Sequence, residues 1–400
     1  MAELLAPAGD LEKLEYACAY GADAVYFGMQ DFSLRSYAGN FSLEDADKGI
    51  KFLHKHGKKA YITLNIYPYS NEYERLVKLA KDLEAIDADA FIVSDLGVIR
   101  QIKQAGIKTP IHISTQANTM SWQTILAYSE LGAKRVNLAR ELSFEQISEI
   151  QKNLKGKVET EVFIHGAVCF SYSGRCAISD YMTGRKANRG ECTHPCRWKY
   201  SVVEETRPGE NYPVYEDERG LYLFNNKDLA LFPYVNDLKK AGVNSFKIEG
   251  RMKTMHYIAS VVSLYRRIMD GDGLSKEAGF ELLSRVSNRG YSYGFMKGNI
   301  TPDDYSQEEN KQRFNSIFVA NYSSSTKDET VFRVRNKITA GDTLELLTPD
   351  GKISNITMSK PLTKKDGTSC DVIQNEGEIV IKQKLPEYSI LRKVVSRGEQ

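Results

Sequence analysis

Short apolar runs alternate with amphipathic stretches through the first two-thirds of the chain. The runs are rich in β-branched and aromatic residues, which is typical of buried strands, and the stretches between them repeat apolar residues with a helical period. Several stretches end in glycine, the usual residue at a helix C-terminus. The predicted strands are 3–6, 24–27, 60–66, 90–94, 111–115, 135–139, 159–165 and 245–249, and the predicted helices are 11–20, 43–56, 72–86, 97–105, 122–131 and 144–154.

These strand–helix repeats predict a closed barrel. Right-handed crossovers between successive strands produce a parallel sheet, and eight strands within roughly 250 residues indicate a (β/α)8 TIM-like barrel rather than an open sheet. After the seventh strand, residues 166–229 show no clear helix. A loop of that length is usually functional. A long helix at about 257–269 is expected to close the barrel.

The pattern changes beyond about residue 310, where short strands are separated by Gly, Asp, Asn and Pro turns. Such a pattern predicts a small all-β barrel. Its predicted strands are 317–322, 330–334, 342–347, 371–373, 378–381 and 389–391. We therefore predict a TIM-like barrel domain at 1–300 with a cysteine-bearing loop at 166–229, a linker at 301–312 and a C-terminal β-barrel domain at 313–400.

Composition narrows the class of protein only slightly. Of the 400 residues, 42% are hydrophobic and 26% are charged, which is ordinary for a globular protein. The net charge of +2 neither requires nor excludes a nucleic-acid partner. We see no signal peptide and no run approaching the roughly 18 apolar residues of a membrane helix. We therefore expect a cytoplasmic protein without a membrane partner, in which clustered cysteines bind metal or do chemistry.

Four of the six cysteines lie in the long loop, with the spacing Cys-x6-Cys-x15-Cys-x3-Cys. Soft thiolate ligands select zinc or an iron–sulfur cluster. Zinc knuckles usually use Cys-x2-Cys hairpins, whereas wider, uneven spacings favour a four-iron cubane, since each sulfur reaches a different iron. We predict a 4Fe-4S cluster held by Cys169, Cys176, Cys192 and Cys196; zinc and unliganded buried thiols stay open as alternatives. Cys18, on a predicted helix with apolar neighbours, is expected in the core.

The segment around the first two of these cysteines reads Glu161-x-Phe163-x-x-Gly166-Ala167-Val168-Cys169-x4-Gly174-x-Cys176-x-Ile178-Ser179. It resembles the signature of the collagenase-like peptidase family U32. The similarity extends to the opening ELLAPAGDLEKLEYACAYGADAVYFG, to VNLAREL, NNKDL, FKIEGRMKTMHYIASVVSLYRR and NRGY, and so to essentially the whole chain. The resemblance implies a barrel with a β-barrel appendage, in agreement with the pattern of strands and helices.

The resemblance also implies a choice of activities, because the family contains reported collagenases and several groups of hydroxylases. The cysteine spacing and the run CTHPCRW are similar to those of the tRNA hydroxylases, which are implicated with prephenate as a required metabolite. On that resemblance the enzyme would hydroxylate the wobble uridine of tRNA to 5-hydroxyuridine, with prephenate as a co-substrate. A paralogous second subunit is also conceivable. The alternatives are a collagenase-like peptidase and a cluster-carrying partner subunit without activity of its own.

Polar residues follow nearly every predicted barrel strand, at the end where barrel enzymes place their chemistry. Arginines there are candidates for binding a dicarboxylate, because the guanidinium group recognises carboxylates through two hydrogen bonds. Some of these residues have simpler interpretations: Asp10 is placed to cap the first helix, Arg140 and Glu141 could pair with each other, and His165 could be a satisfied barrel residue. The candidates are His165, Glu249 and Asp95 for catalysis, and Arg140, Arg251, Arg35 and Lys253 for the substrate.

Basic and aromatic residues flank the loop cysteines, as single-stranded RNA recognition requires. The residues predicted to contact RNA are Arg185, Lys186, Arg197 and Trp198, and the alternative is a solvated loop with Trp198 buried beneath it. A hydrolytic centre is harder to find, because the chain has no H-E-x-x-H motif and Phe170–Gly174 lacks the first glycine of a nucleophile elbow. A cysteine nucleophile with His165 or His194 as base would compete with metal ligation by the same thiols.

Overall fold

The computed structural model describes residues 2–34, 40–169, 171, 176–198, 215–217, 220–222, 226–300, 304, 313–374 and 377–395. The strands and helices of the first two-thirds are β1 (Glu3–Pro7), α1 (Leu11–Ala19), β2 (Ala24–Gly28), α2 (Leu43–Lys55), β3 (Lys59–Leu64), α3 (Tyr73–Ala85), β4 (Ala90–Val93), α4 (Leu96–Gln104), β5 (Ile111–Ile113), α5 (Trp122–Glu130), β6 (Ala133–Asn137), α6 (Phe144–Leu154), β7 (Glu159–Gly166), α7 (Ile178–Thr183), β8 (Tyr215–Asp217), β9 (Gly220–Tyr222), β10 (Asp228–Ala230), α8 (Val235–Ala241), β11 (Ser245–Ile248), α9 (Met255–Met269) and α10 (Lys276–Ser284).

Eight parallel strands close into a barrel, which confirms the predicted fold class. Strands β1 to β7 pair in sequence order, and β11 pairs with both β1 and β7. Each of the eight corresponds to a predicted strand, with ends that differ by up to two residues. Helix starts follow local capping chemistry: Ser143, for example, forms a capping box with Gln146 at the start of α6. No helix among the described residues is both long and apolar enough to cross a membrane.

Charged side chains from strands β6, β7 and β11 pair with one another inside the barrel. The Lys247 ammonium donates to Glu161 at 2.9 Å, and Ser245 donates to the other oxygen of that carboxylate at 3.1 Å. Arg135 lies 3.6 Å from Glu161 and also pairs with Glu3. Because the side chains of Glu161, Lys247 and Arg135 are each 5% exposed or less, these ions are paired within the protein rather than by water.

The region after β7 differs from its prediction. It was expected to lack a clear helix, but the structure has the short helix α7 there, and His165 and Gly166 at the end of β7 pair antiparallel with Ala230 and Leu229 of β10. The two-residue strand β12 (Tyr291–Ser292) then pairs parallel with β10. The chain therefore returns from the cysteine loop to the C-terminal end of β7, which brings the segments around residues 228 and 290 to the barrel mouth.

The C-terminal region is all-β, as predicted. Its strands are β13 (Ser316–Ser325), β14 (Thr330–Val334), β15 (Ile338–Thr339), β16 (Thr343–Leu347), β17 (Ile353–Thr357), β18 (Leu362–Lys364), β19 (Ser369–Cys370), β20 (Val372–Ile373), β21 (Glu378–Ile381) and β22 (Ile390–Val394). Eight of them form one antiparallel sheet. This sheet forms a compact unit with Tyr16–Ala22 and with α9 and α10, and the buried Arg392 donates there to Glu345 at 2.8 Å and to Ser260 at 3.2 Å.

Candidate functional site

Arg140 and Glu249 lie at the mouth of the barrel, after strands β6 and β11. Their charged groups are 4.0 Å apart, and both side chains are about five-sixths buried. Arg140 also donates to the carbonyl of Ala167 at 2.8 Å and lies over the ring of Phe163. The Tyr26 hydroxyl donates to Glu249 at 3.4 Å. The suggested pairing of Arg140 with its neighbour Glu141 is wrong, because the carboxylate facing Arg140 belongs to Glu249.

Arg251 lies in a polar nest at the same end of the barrel and is only 4% exposed. One terminal nitrogen donates to Ser33 at 2.8 Å and to Thr63 at 3.1 Å, and the other donates to Asn40 at 2.7 Å. Gly28 leaves the space for this arginine, because a Cβ atom there would lie 2.4 Å from the guanidinium. The guanidinium therefore links strand β3 to the loops after β2 and β11, and its predicted role in binding substrate stays a prediction.

His165 occupies the inner end of the mouth and is completely buried. Burial lowers the pKa of His165 to about 3; the Asp228 carboxylate opposes this shift and the Lys253 ammonium adds to it. The imidazole is therefore neutral at physiological pH, so it can donate one hydrogen bond and accept one but cannot act as a cationic acid. The ring of Tyr291 lies 5.6 Å away, centroid to centroid.

Asp228 and Arg289 form a buried ion pair beside His165 that the sequence analysis missed. Arg289 donates to the Asp228 carboxylate, and the two side chains are 9% and 6% exposed. The other terminal nitrogen of Arg289 is buried without a hydrogen-bond partner among the described residues. Burial, with the Asp228 charge, raises the pKa of Tyr291 well above its usual value. The sequence did contain a signal for this pair, because Asp228 lies in the family segment NNKDL and Arg289 in the family segment NRGY.

The two aspartates at strand ends are helix caps. Asp10 accepts from the backbone N–H of Lys13 at 2.9 Å, which confirms the capping interpretation. Asp95 accepts from the N–H of Val98 at 3.0 Å and from the Tyr73 hydroxyl at 2.7 Å. Burial and that hydrogen bond raise the pKa of Tyr73 to about 12. Asp95 thus has a structural position at the mouth, and its catalytic role stays a prediction.

Among the described residues the four loop cysteines form no disulfide. Desolvation raises the pKa of the Cys169 thiol; a hydrogen bond from the Ser171 backbone lowers it, Cys176 raises it, Arg140 lowers it and Cys192 raises it. The thiols of Cys176 and Cys192 therefore both act on the Cys169 thiol. Within the described residues no three His, Cys, Asp or Glu side chains stand close enough together to hold a single metal ion. Four thiols are a chemically suitable ligand set for an iron–sulfur cluster. The structure does not show the four sulfur atoms arranged around one centre. Cys18 is buried, as expected.

The predicted RNA-contacting residues lie on this loop. Lys186 is exposed and donates to the Tyr69 hydroxyl at 2.8 Å, and Arg185 is half-buried. Trp198 is 39% exposed, so the interpretation that it lies buried beneath the loop is wrong. The side chain of Arg197 and the whole of Arg35 lie outside the described residues.

Arg189, which was not among the predicted site residues, attaches the cysteine loop to the barrel. Its two terminal nitrogens donate to the Glu72 carboxylate at 2.9 and 2.6 Å, and one of them also reaches the Tyr67 carbonyl at 3.1 Å. Hydrogen bonding from Arg189 lowers the pKa of Glu72 despite some desolvation. Two-point pairing of this kind fixes orientation as well as distance. The segment between Cys176 and Cys192 is therefore held against the loop between β3 and α3.

Comparison with known proteins identifies the family of this chain and several of its relatives. The model of peptidase family U32 matches residues 9–305, and that of the peptidase family U32 C-terminal domain matches residues 311–392. The chain is 37% identical to tRNA hydroxylation protein P of Escherichia coli, covering 88% of this chain and 87% of that protein. It is 37% identical to the Escherichia coli 23S rRNA 5-hydroxycytidine synthase over 67% of this chain and 39% of that protein. It is 32% identical to a collagenase of Porphyromonas gingivalis over 74% of this chain and 73% of that protein.

Proposed function

Because this chain belongs to peptidase family U32 and carries that family's C-terminal domain, we propose that it is an RNA-modifying hydroxylase of the cytoplasm. The substrate is tRNA and the product is 5-hydroxyuridine at the wobble position. The observation that carries this proposal is the similarity to tRNA hydroxylation protein P, which spans both the barrel and the C-terminal domain. The relative that makes 5-hydroxycytidine in ribosomal RNA supports the same class of reaction, a hydroxyl group placed on C5 of a pyrimidine.

A peptidase is the second candidate, because the chain also resembles a collagenase. A cysteine peptidase needs an accessible histidine base beside its thiolate. His165 has no exposed surface, and its pKa of about 3 makes it too weak a base to take the proton of a cysteine thiol. The barrel mouth therefore favours the hydroxylase over a peptidase built on His165.

The residues of the mouth suggest a division of roles. Replacing C5–H by C5–OH with an oxygen atom from water releases two protons and two electrons, so a two-electron oxidant must take part. We propose that Glu249, whose carboxylate contacts Arg140 and Tyr26, accepts the C5 proton. Asp95 is a further candidate for this step, and the neutral His165 is a candidate for a hydrogen-bonding role. The co-substrate is a small dicarboxylate such as prephenate, for which the cationic candidates are Arg140, Arg251, Lys253 and Arg35.

The ligands for a metal centre are Cys169, Cys176, Cys192 and Cys196. A 4Fe-4S cluster bound there would supply one-electron redox chemistry, and zinc is the alternative metal. All four cysteines lie on the one loop that leaves β7, and this common origin supports a shared centre. Arg140 has a separate task in this scheme, because its bond to the Ala167 carbonyl holds the start of the cysteine loop at the mouth. A paralogous subunit could complete the enzyme.

A deletion strain tests the function. Mass spectrometry of its tRNA nucleosides should show the loss of 5-hydroxyuridine and of nucleosides derived from it, and a plasmid with the wild-type gene should restore them. Glu249→Gln should not restore them. Glu149→Gln makes the same chemical change at an exposed position on helix α6 and should restore them fully. Unchanged tRNA in the deletion strain, together with gelatin cleavage by the purified protein, would establish the peptidase instead.

A further inference from the structure

The loop between β3 and α3 presents a half-exposed tyrosine at the mouth of the barrel. Tyr69 keeps 50% of its surface exposed. The guanidinium carbon of Arg189 lies 4.3 Å from the ring centroid, which is close enough for a cation–π contact. Lys186 donates to the Tyr69 hydroxyl at 2.8 Å. The ring therefore has the Arg189 guanidinium over it and the Lys186 ammonium 5.5 Å from its centroid, and the residue as a whole stays half-exposed.

The contacts around Tyr69 fix its position. Its backbone N–H donates to Glu72 at 2.6 Å, and Glu72 is the carboxylate that holds Arg189 through two hydrogen bonds. Tyr67, two residues earlier, donates from its hydroxyl to the carbonyl of Gln116 at 2.8 Å, which ties this loop to the one after β5. Little side-chain freedom is left for a ligand to remove on binding, and such preorganisation favours affinity.

We propose that Tyr69 is a stacking platform for an unpaired nucleobase of the RNA substrate, with the Lys186 ammonium placed for the adjoining phosphate; this rests on the proposed function. Single-stranded RNA is recognised by aromatic faces beside basic groups, because every base has a flat π surface and every nucleotide a negative phosphate. Arg189 lies three positions before Cys192 in the chain, so the platform adjoins the cysteine loop. The base on Tyr69 is a neighbour of the uridine that is modified and helps to hold that nucleotide out of its stack.

Binding to an RNA hairpin with a single-stranded anticodon loop tests the platform. Tyr69→Leu in the full-length protein should weaken binding about 5- to 150-fold, the usual effect of losing one base–aromatic stack. Tyr69→Phe and Tyr69→Trp should bind within about threefold of wild type, since both keep a flat ring. Leu131→Ala, at an exposed position after α5 and at the opposite end of the barrel, should bind like the wild type.

A fluorescent base gives a readout that folding alone does not change. With 2-aminopurine in the loop, stacking on Tyr69 should quench the fluorescence in the wild type and in Tyr69→Phe but not in Tyr69→Leu. Lys186→Ala should lower the slope of log affinity against log salt by about 0.7, the value for one phosphate contact on a single strand. Lys152→Ala, an exposed lysine on α6 without an ion pair among the described residues, should leave that slope unchanged.

Equal binding and equal quenching in the wild type and in Tyr69→Leu would overturn the platform while leaving the hydroxylase intact. A wild-type protein that neither modifies tRNA nor binds the hairpin would overturn the proposed function itself. Tyr69→Leu that binds RNA normally but no longer cleaves gelatin would overturn the platform in favour of a peptide contact at the same ring.

Discussion

The charged centre of the barrel makes a sharp prediction about stability. Glu161→Gln removes the negative charge that faces Lys247, and Lys247 has no other acidic partner within 4 Å in the described part of the chain. The two side chains are 3% and 4% exposed, so water cannot replace the lost partner. Breaking a buried pair from one side generally costs about 3–5 kcal/mol. We expect a loss in that range from the free energy of unfolding.

Urea unfolding followed by circular dichroism measures this loss. The double variant Glu161→Gln, Lys247→Met should recover part of it, because it leaves no buried charge unpaired, and the difference gives the coupling energy. Glu149→Gln, the same substitution at an exposed site, should stay within about 0.5 kcal/mol of the wild type. A loss below about 1 kcal/mol for Glu161→Gln, with no recovery in the double variant, would refute the view that these charges depend on each other.

The remaining predictions concern pH, packing and metal content. Burial alone would raise the pKa of Glu161, but Lys247 and Arg135 hold it below its usual value of 4.5. The ionised Glu161 therefore contributes its full stabilisation above pH 4.5, and this contribution is lost as the pH falls. The unfolding free energies of the wild type and of Glu161→Gln should accordingly converge at acidic pH. Gly28→Ala should lower the unfolding free energy by about 1–3 kcal/mol because its Cβ meets Ser33 at 2.2 Å, whereas Gly273→Ala, with open space around it, should be nearly neutral in the same assay. Cys176→Ala, purified without oxygen, should lose most of its iron and its brown colour, while Cys18→Ala should keep both.

Much of the barrel could be predicted because each strand has a recognisable pattern in its own short stretch of sequence. Runs such as Ala24–Gly28 are apolar along their whole length, as strands of a parallel sheet are when both faces are covered. Glycines at 21, 57, 106, 132 and 242 mark helix ends, and each has the positive φ that favours glycine. The small C-terminal strands β15, β17, β18 and β19 were missed, since their extent depends on partners that are distant in sequence.

The candidate site was less predictable, because its geometry comes from long-range contacts. Asp228 and Arg289 are 61 residues apart in sequence and meet only because β10 and β12 return to β7. The charged interior was also missed, although Glu161 and Lys247 occupy inward positions of strands that otherwise read as buried. A charged residue on a buried strand is a signal that a partner exists, but it does not identify that partner.

The central claim is that this protein hydroxylates tRNA, and it is tested most directly on tRNA isolated from the deletion strain. This tRNA is incubated under anaerobic conditions with the purified protein and an extract of the deletion strain, which supplies any co-substrate. The tRNA is then digested and its modified nucleosides are mapped by mass spectrometry. We predict one added oxygen on the wobble uridine, formed with the wild type and not with Cys176→Ala. An unmodified wobble uridine with the wild-type protein, under conditions where the Escherichia coli relative adds the oxygen, would contradict the account.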